Sequence, residues 1–215
     1  MDQTLFFLDA SKELKAAFEK GFVVQHLKSG EMLFDQGEHD DRLWVLDKGL
    51  LEVSVYSVSG RKLSLNMLRP GSVFGEIALF DPGLRTANVA ALKPSSVRSV
   101  RKSTLIAGIK NTPALAEELL GFAGKRMRWL TQQVEDQVFL APVSRLAAKV
   151  IYLSGESGTI HMSQAQLADY VGVTREFVST HLAEWRRDGV LEVSRGRIDV
   201  RDMQALEEIQ QKVFF

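Results

Sequence analysis

The sequence predicts an α+β chain: a β-barrel of the double-stranded β-helix or jelly-roll type, then a long helix, then a C-terminal winged helix-turn-helix. Three observations predict it. Short apolar segments alternate with glycines from Phe22 to Val100; an unbroken helical period follows Thr112; and a helix–glycine–helix pattern with a tight basic hairpin closes the chain. The expected domains are residues 1–111, 112–140 and 141–215.

The barrel segments are Phe22–Leu27, Met32–Phe34, Leu43–Leu46, Leu50–Tyr56, Leu63–Leu68, Val73–Phe74, Asn88–Leu92 and Val97–Val100. Their spacing of roughly 8–12 residues fits an all-β barrel or sandwich. Leu51, Val53 and Val55 alternate with Glu52, Ser54 and Tyr56, as on a half-buried strand. Ahead of them, Leu5, Phe6 and Leu8, then Leu14, Ala17 and Phe18, predict short helical pieces within residues 2–20.

Thr112 and Pro113 suit the cap and first position of a helix, here expected to run to about Val138. Leu120, Ala123, Met127, Leu130, Val134 and Val138 form one stripe, close to a heptad seam. Leu115, Leu119, Phe122 and Trp129 face another way. Two apolar faces call for two partners: the helix's own barrel and a second copy of the chain. Phe139-Leu-Ala-Pro142 ends the helix. Helix is expected again at Val143–Leu153, Ser163–Val171, Thr174–Asp188 and from Asp202, with a turn at Gly155–Gly158 and a hairpin across Leu191–Val200.

Composition limits the chemistry. There are 27 basic and 27 acidic side chains and no cysteine. The neutral balance means that any nucleic-acid claim rests on local placement of charge. Without cysteine there are no disulfides, iron–sulfur clusters or cysteine-rich zinc sites. The four histidines, His26, His39, His161 and His181, are scattered, so no metal site is expected. No paired catalytic carboxylates, Ser/His/Asp set or Walker-type loop stands out; no catalytic residue is expected, and the chain reads as a non-enzyme. No apolar run approaches the ~20 residues of a membrane span, and Met1-Asp-Gln-Thr carries no basic start of a signal peptide. A cytoplasmic protein without a membrane partner is expected.

Two stretches carry function. In Met162–Leu182, Ser163 and Gln166 match a capping box. Leu167, Ala168 and Val171 give the first helix its apolar face, Gly172 supplies the turn, and Thr174 caps the second helix. Phe177 or Val178, with Leu182 and Trp185, packs the second helix back. Its outer face begins with Arg175, Glu176, Ser179 and Thr180, the positions from which a recognition helix reads base edges. Ser163, Gln164 and Thr174 are placed at helix starts suited to phosphate contact. Arg195 and Arg197 sit at the tip of the wing around Gly196. A surface Arg175–Glu176 pair and solvated wing arginines are the alternative.

The second stretch, Phe74-Gly-Glu-Ile-Ala-Leu-Phe followed by Arg85-Thr86-Ala87, suits an anion cradle. Glycine permits close backbone approach, and a short helical turn offers N–H groups. Arg85 can clamp a phosphate, Thr86 can donate its hydroxyl, and Glu76 can accept from a ribose hydroxyl. The spacing equally allows a buried Glu76–Arg85 ion pair with no ligand.

Together these motifs resemble the catabolite activator/FNR family of regulators, over essentially the full length. The first stretch looks like that family's helix-turn-helix signature and the second like its phosphate-binding cassette. The resemblance implies a cyclic-nucleotide-binding-like N-terminal domain, a homodimer through the long helix, a palindromic operator in double-stranded DNA, and RNA polymerase as a further partner. It implies ligand contacts from Gly75, Glu76, Ile77, Arg85, Thr86 and Ala87, with Leu130 and Thr131 where the cyclic-AMP-responsive member places hydroxyls against adenine. Leu130 lacks that hydroxyl. Thr86 resembles the cGMP-preferring sites of related domains. Thr180 stands where better-known members have arginine. The absent cysteines rule out the iron–sulfur oxygen sensor and argue against the haem-type carbon monoxide sensor.

A regulator gated by cAMP or cGMP, with no cofactor required, is the expected function. A constitutive or differently liganded member whose barrel binds no cyclic nucleotide is the alternative. The sequence identifies no target gene and does not separate activation from repression.

Overall fold

The computed structural model describes residues 10–19, 21–81 and 83–211. The helical pieces expected around Leu5, Phe6 and Leu8 lie outside these residues. The chain divides into two compact units: the chain through Tyr56 with Leu65–Leu130, and Ser57–Ser64 with the chain from Thr131 on.

The first unit opens with helix α1 (Lys12–Glu19) and continues into strands β1 (Val23–Leu27), β2 (Met32–Phe34), β3 (Arg42–Tyr56), β4 (Lys62–Leu68) and β5 (Val73–Phe74). A single turn of helix, α2 (Ile77–Phe80), precedes β6 (Asn88–Arg101). The sheet order is β1-β6-β3-β4, with β2 also on β6 and β5 also on β3. The pairings of β1 and β2 with β6, of β3 with β5 and of β3 with β6 are antiparallel.

Four expected segments are two long strands. Leu43–Leu46 and Leu50–Tyr56 merge into β3, and Asn88–Leu92 and Val97–Val100 into β6. Gly49, which falls between two of the expected segments, is a bend within one strand. The register between the two strands slips three times between Leu46 and Leu51. At Gly49 the backbone has φ +103°, and a Cβ there would stand 2.1 Å from Ser95 Oγ and 2.7 Å from the Pro94 carbonyl oxygen. Glycine lets the strand bend without leaving the ladder.

Among the described residues, two buried clusters hold the unit. Inside the roll, Phe34, Trp44, Leu46, Leu51, Phe74, Val89 and Val97 pack together. The other face of the sheet, with Leu43, Val45 and Val100, packs on Leu14, Leu105, Leu115, Leu119 and Phe122 from the helices. Among these helices is α3 (Lys102–Asn111), which the sequence reading missed. It buries Leu105 and half-buries Ile109 against the core, a two-residue pattern too short to announce itself. The long helix α4 (Ala114–Phe139) is close to its expected bounds. Leu115, Leu119 and Phe122 are buried, as their face required, whereas Leu120, Met127, Leu130, Val134 and Val138 are exposed.

In the second unit, α5 (Pro142–Ser154) leads into β7 (Thr159–Ile160), α6 (Gln164–Val171), α7 (Arg175–Arg187), β8 (Leu191–Ser194), β9 (Arg197–Val200) and α8 (Met203–Gln210). The expected wing hairpin is the β8–β9 pair, with β7 added on its other edge to give a sheet ordered β7-β9-β8. Two residues of strand are too few to read from periodicity. Leu146, Val150, Leu167, Val178, Leu182, Ile198 and Leu206 fill the core.

Candidate functional site

The helix-turn-helix is built as its sequence dictates. Ser163 Oγ accepts from the Gln166 N–H at 3.2 Å, and Gln166 Oε1 accepts from the Ser163 N–H at 2.8 Å. Gly172 ends α6 in the left-handed conformation, φ +79°. Thr174 Oγ1 caps α7 through the Phe177 N–H. Val178, not Phe177, is the fully buried residue of that turn, beside Leu182 and Trp185. Phe177 is half-buried and packs edge-on against His181, with 4.4 Å between ring centres.

Arg175, Glu176, Ser179 and Thr180 are all exposed on one end of α7. Arg175 and Glu176 make no ion pair with each other or with any other described residue. Thr180 Oγ1 donates to the Glu176 carbonyl at 3.0 Å. Ser163 and Thr174 are exposed and Gln164 half-buried at the two helix starts.

The wing arginines differ. Arg195 is exposed and has no partner among the described residues. The Arg197 Nε is tied to both Asp199 oxygens, at 2.9 and 2.8 Å, and Asp199 also accepts from Thr159 Oγ1 at 2.7 Å. These hydrogen bonds, Arg197 first and Thr159 second, hold the Asp199 carboxyl below its ordinary range and push the Arg197 guanidinium up. Arg197 is therefore a wing strut as well as a surface cation.

Arg186 and Arg187 were not foreseen. With Gln164, Ser179, Ala183 and Val193 they line a concavity beside α7. Arg186 follows Ser179 by seven residues, so helical spacing puts both on one face; that was the available signal. From Ala141 onward, nine basic residues face ten acidic ones. With this charge balance, any nucleic-acid affinity has to come from placement rather than from net charge.

The second site lies in the first unit. Gly75, Glu76, Ile77, Ala78, Leu84, Arg85, Thr86, Ala87 and Val89, with Phe34, Val53, Phe74 and Arg126, line a cavity of about 470 Å³ including its open mouth. Six of the eight residues expected to meet a ligand are among them. Leu130 and Thr131 are not: both are exposed on α4, and Leu130 belongs to the apolar stripe at helical spacing from Met127 and Val134.

Arg85 organises the cavity. Its backbone is bonded to the loop before β3, Arg85 N–H to the Glu38 carbonyl and Gly37 N–H to the Arg85 carbonyl, each 2.8 Å. Its guanidinium lies over the Phe34 ring at 4.3 Å. Nη1 donates to the Gly75 carbonyl at 3.1 Å; Nη2 donates to Asp40 Oδ2 at 2.6 Å and to the Arg42 carbonyl at 2.7 Å. Nε is buried without a partner. Gly75, at φ +78°, is the residue that fits: a Cβ there would stand 2.6 Å from Arg85 Nη1.

The Glu76–Arg85 pair considered from spacing is absent. Arg85 pairs with Asp40, and Glu76 pairs with Arg126 of α4, Nε to Oε1 at 3.1 Å. Sequence reasoning missed Asp40 and Arg126. Asking where two buried charges find partners was the signal, but the partners lie 45 and 50 residues away. Thr86 is exposed, and its hydroxyl bonds to no described residue.

Residues 24–112 match the cyclic nucleotide-binding domain, and residues 144–209 match the Crp-like helix-turn-helix domain. The chain belongs to the catabolite activator/FNR (CRP/FNR) family of transcription regulators. It is 26% identical over 200 residues to the CRP-like cAMP-activated global transcriptional regulator of Mycobacterium tuberculosis, covering 89% of each chain. It is 27% identical over 182 residues to the cyclic AMP receptor protein of Thermus thermophilus, covering 84% of each. FixK2 from Bradyrhizobium japonicum shares the fold at a TM-score of 0.76 and 21% identity, covering 87% of this chain and 96% of that one. This CRP/FNR member thus joins a cyclic nucleotide-binding-type domain to a DNA-binding helix-turn-helix, as its motifs implied. These relatives do not favour the alternative of a barrel that binds no cyclic nucleotide.

Proposed function

We propose that this regulator binds cAMP or cGMP in the barrel, dimerises through α4, and binds a palindromic operator in double-stranded DNA with α7 in the major groove. The observation that carries the effector reading is Arg85: a buried guanidinium with an unpartnered Nε, facing a cavity it shares with Gly75, Glu76 and Thr86. In this reading Arg85 and Thr86 take the cyclic phosphate and Glu76 a ribose hydroxyl, while Gly75, Ile77 and Ala87 shape the walls. The protein acts by binding and needs no cofactor, works in the cytoplasm, and meets RNA polymerase at the promoter. One relative named as cAMP-activated and another named a cyclic AMP receptor protein support the choice of a cyclic nucleotide.

On DNA, Arg175, Glu176, Ser179 and Thr180 read bases. Ser163, Gln164, Thr174, Arg195 and Arg197 meet phosphates.

Thermal melting with cAMP and with cGMP tests the effector reading. A ligand at 100 times its Kd stabilises the fold by about 2.7 kcal/mol. Thr86→Ala is the informative variant, because the hydroxyl supports nothing in the fold: the apo melting temperature should hold while the nucleotide shift shrinks. No shift with either nucleotide refutes the reading. For DNA, Arg175→Ala should relax preference at one base position at a cost of about 1–3 kcal/mol. Arg195→Ala should weaken all sequences alike and shallow the salt dependence. The reverse pattern exchanges the two roles.

A further inference from the structure

A guanidinium has five N–H donors, and it grips a phosphate best with two parallel donors on one edge. Only two edges offer such a pair: Nη1 with Nη2, and Nε with Nη2. Both include Nη2. In Arg85 both Nη2 hydrogens are taken, one by the Arg42 carbonyl at 2.7 Å and one by Asp40 Oδ2 at 2.6 Å. A two-point grip on an anion therefore requires one of these acceptors to leave.

The two acceptors are not equally removable. The Arg42 carbonyl is backbone inside β3, fixed by the ladder to β6. Asp40 lies ahead of the strand on a side chain with two rotatable bonds, and its carboxylate is 20% exposed whereas Arg85 is 3% exposed. Its other oxygen rests on the Arg42 N–H at 3.1 Å, a local turn that survives without Arg85. The carboxylate can swing toward solvent while the arginine stays buried.

We propose that Asp40 is an intramolecular competitor for the effector phosphate: it holds the Arg85 edge that the cyclic phosphate needs, and so sets the affinity of the barrel. The proposal rests on the cyclic-nucleotide reading above. It gives the pair a physical logic. A buried arginine with no counter-charge is strongly unfavourable, and here one anion exchanges for another, so Arg85 is never left uncompensated. Effector binding then carries the cost of releasing a charge-assisted hydrogen bond, which raises the concentration at which the barrel fills.

The test is nucleotide affinity by calorimetry on the full chain, for wild type, Asp40→Asn and Asp40→Ser. Serine keeps an acceptor for the Arg42 N–H and guards against loss of the turn. Hydrogen bonds to charged groups have net strengths that translate to about tenfold or more in affinity. Both variants should bind the same nucleotide about tenfold more tightly, and Asp40→Asn should change nothing in an Arg85→Gln background. Melting in inorganic phosphate gives a readout independent of the base: phosphate should stabilise the Asp40 variants more than wild type. Equal or weaker nucleotide binding by folded variants overturns the proposal. If no chain binds a nucleotide but phosphate still favours the variants, Asp40 remains the internal anion and the nucleotide reading falls. If no chain binds a nucleotide and phosphate does not separate the variants from wild type, both fall.

Discussion

The apolar stripe of α4 sets up a sharp test of dimerisation. Leu120, Met127, Leu130, Val134 and Val138 are 47–68% exposed on one helix face. Fully burying such a side chain is worth about 1.5–3 kcal/mol, so covering the exposed part contributes about 1 kcal/mol each. Five per helix on two helices give a gross gain of about 10 kcal/mol, against an association cost of ~4–15 kcal/mol. The two are close, so the proposed dimer should be sensitive to single substitutions at the seam. In a two-fold parallel pair, Val134 lies near its own copy. Val134→Glu loses the apolar burial twice and sets two carboxylates across the axis, an expected loss of about 4 kcal/mol or more. That is roughly a thousandfold in the dimer dissociation constant. Sedimentation equilibrium reads it directly, with far-ultraviolet circular dichroism confirming that helix content holds. Lys125→Glu, on the opposite side of the same helix, should leave association unchanged. A Val134→Glu chain as dimeric as wild type at micromolar concentration refutes the reasoning.

Three further outcomes are expected. Gly49→Ala forces a Cβ against Ser95 and Pro94 at a left-handed backbone, and should cost about 3 kcal/mol or more; a urea midpoint close to wild type would show that the bend tolerates a side chain. Ser163→Ala removes the capping box of α6 and should cost about 1 kcal/mol, lowering operator affinity without altering sequence preference; changed preference would show that Ser163 reads bases. The Asp199 carboxyl, held down by Arg197 and Thr159, should titrate below its ordinary 3.8 by carboxyl NMR. Because the folded value is the lower one, the stabilisation it brings is present above 3.8 and lost as pH falls through the folded value. A titration at or above 3.8 means the Arg197 bond does not persist in solution.

What the sequence revealed and what it hid follow from the range of the interactions. The cap at Ser163, the turn at Gly172 and the cap at Thr174 are bonds within a few residues, so their pattern is written locally. The α4 faces were legible because helical spacing sorts Leu119 and Phe122 from Met127 and Val134 without knowledge of any partner. Two of the barrel strands were found but cut in two, since a glycine such as Gly49 marks a strand end and a strand bend alike. The site residues fell the same way. Gly75, Glu76, Arg85 and Thr86 sit in one short segment. Asp40 and Arg126 join them only through long-range pairing, and a local pattern carries no trace of either.

The wiring of the cavity also indicates how an effector could reach the dimer seam. Glu76, beside the cassette glycine, is bonded to Arg126, and the Arg126 guanidinium lies 4.3 Å from the Trp129 ring, one turn along α4. The stripe residues Met127 and Leu130 alternate with these two along the same helix. A ribose hydroxyl donating to Glu76 would weaken its hold on Arg126. That change would act on α4 through a half-buried ion pair, where Coulomb attraction is less screened than at the surface. Allosteric couplings are typically ~1–3 kcal/mol, within the reach of one such pair. On the proposed reading the effector need not remodel the barrel core; altering the Glu76–Arg126 bond would act directly on the helix that carries the exposed stripe.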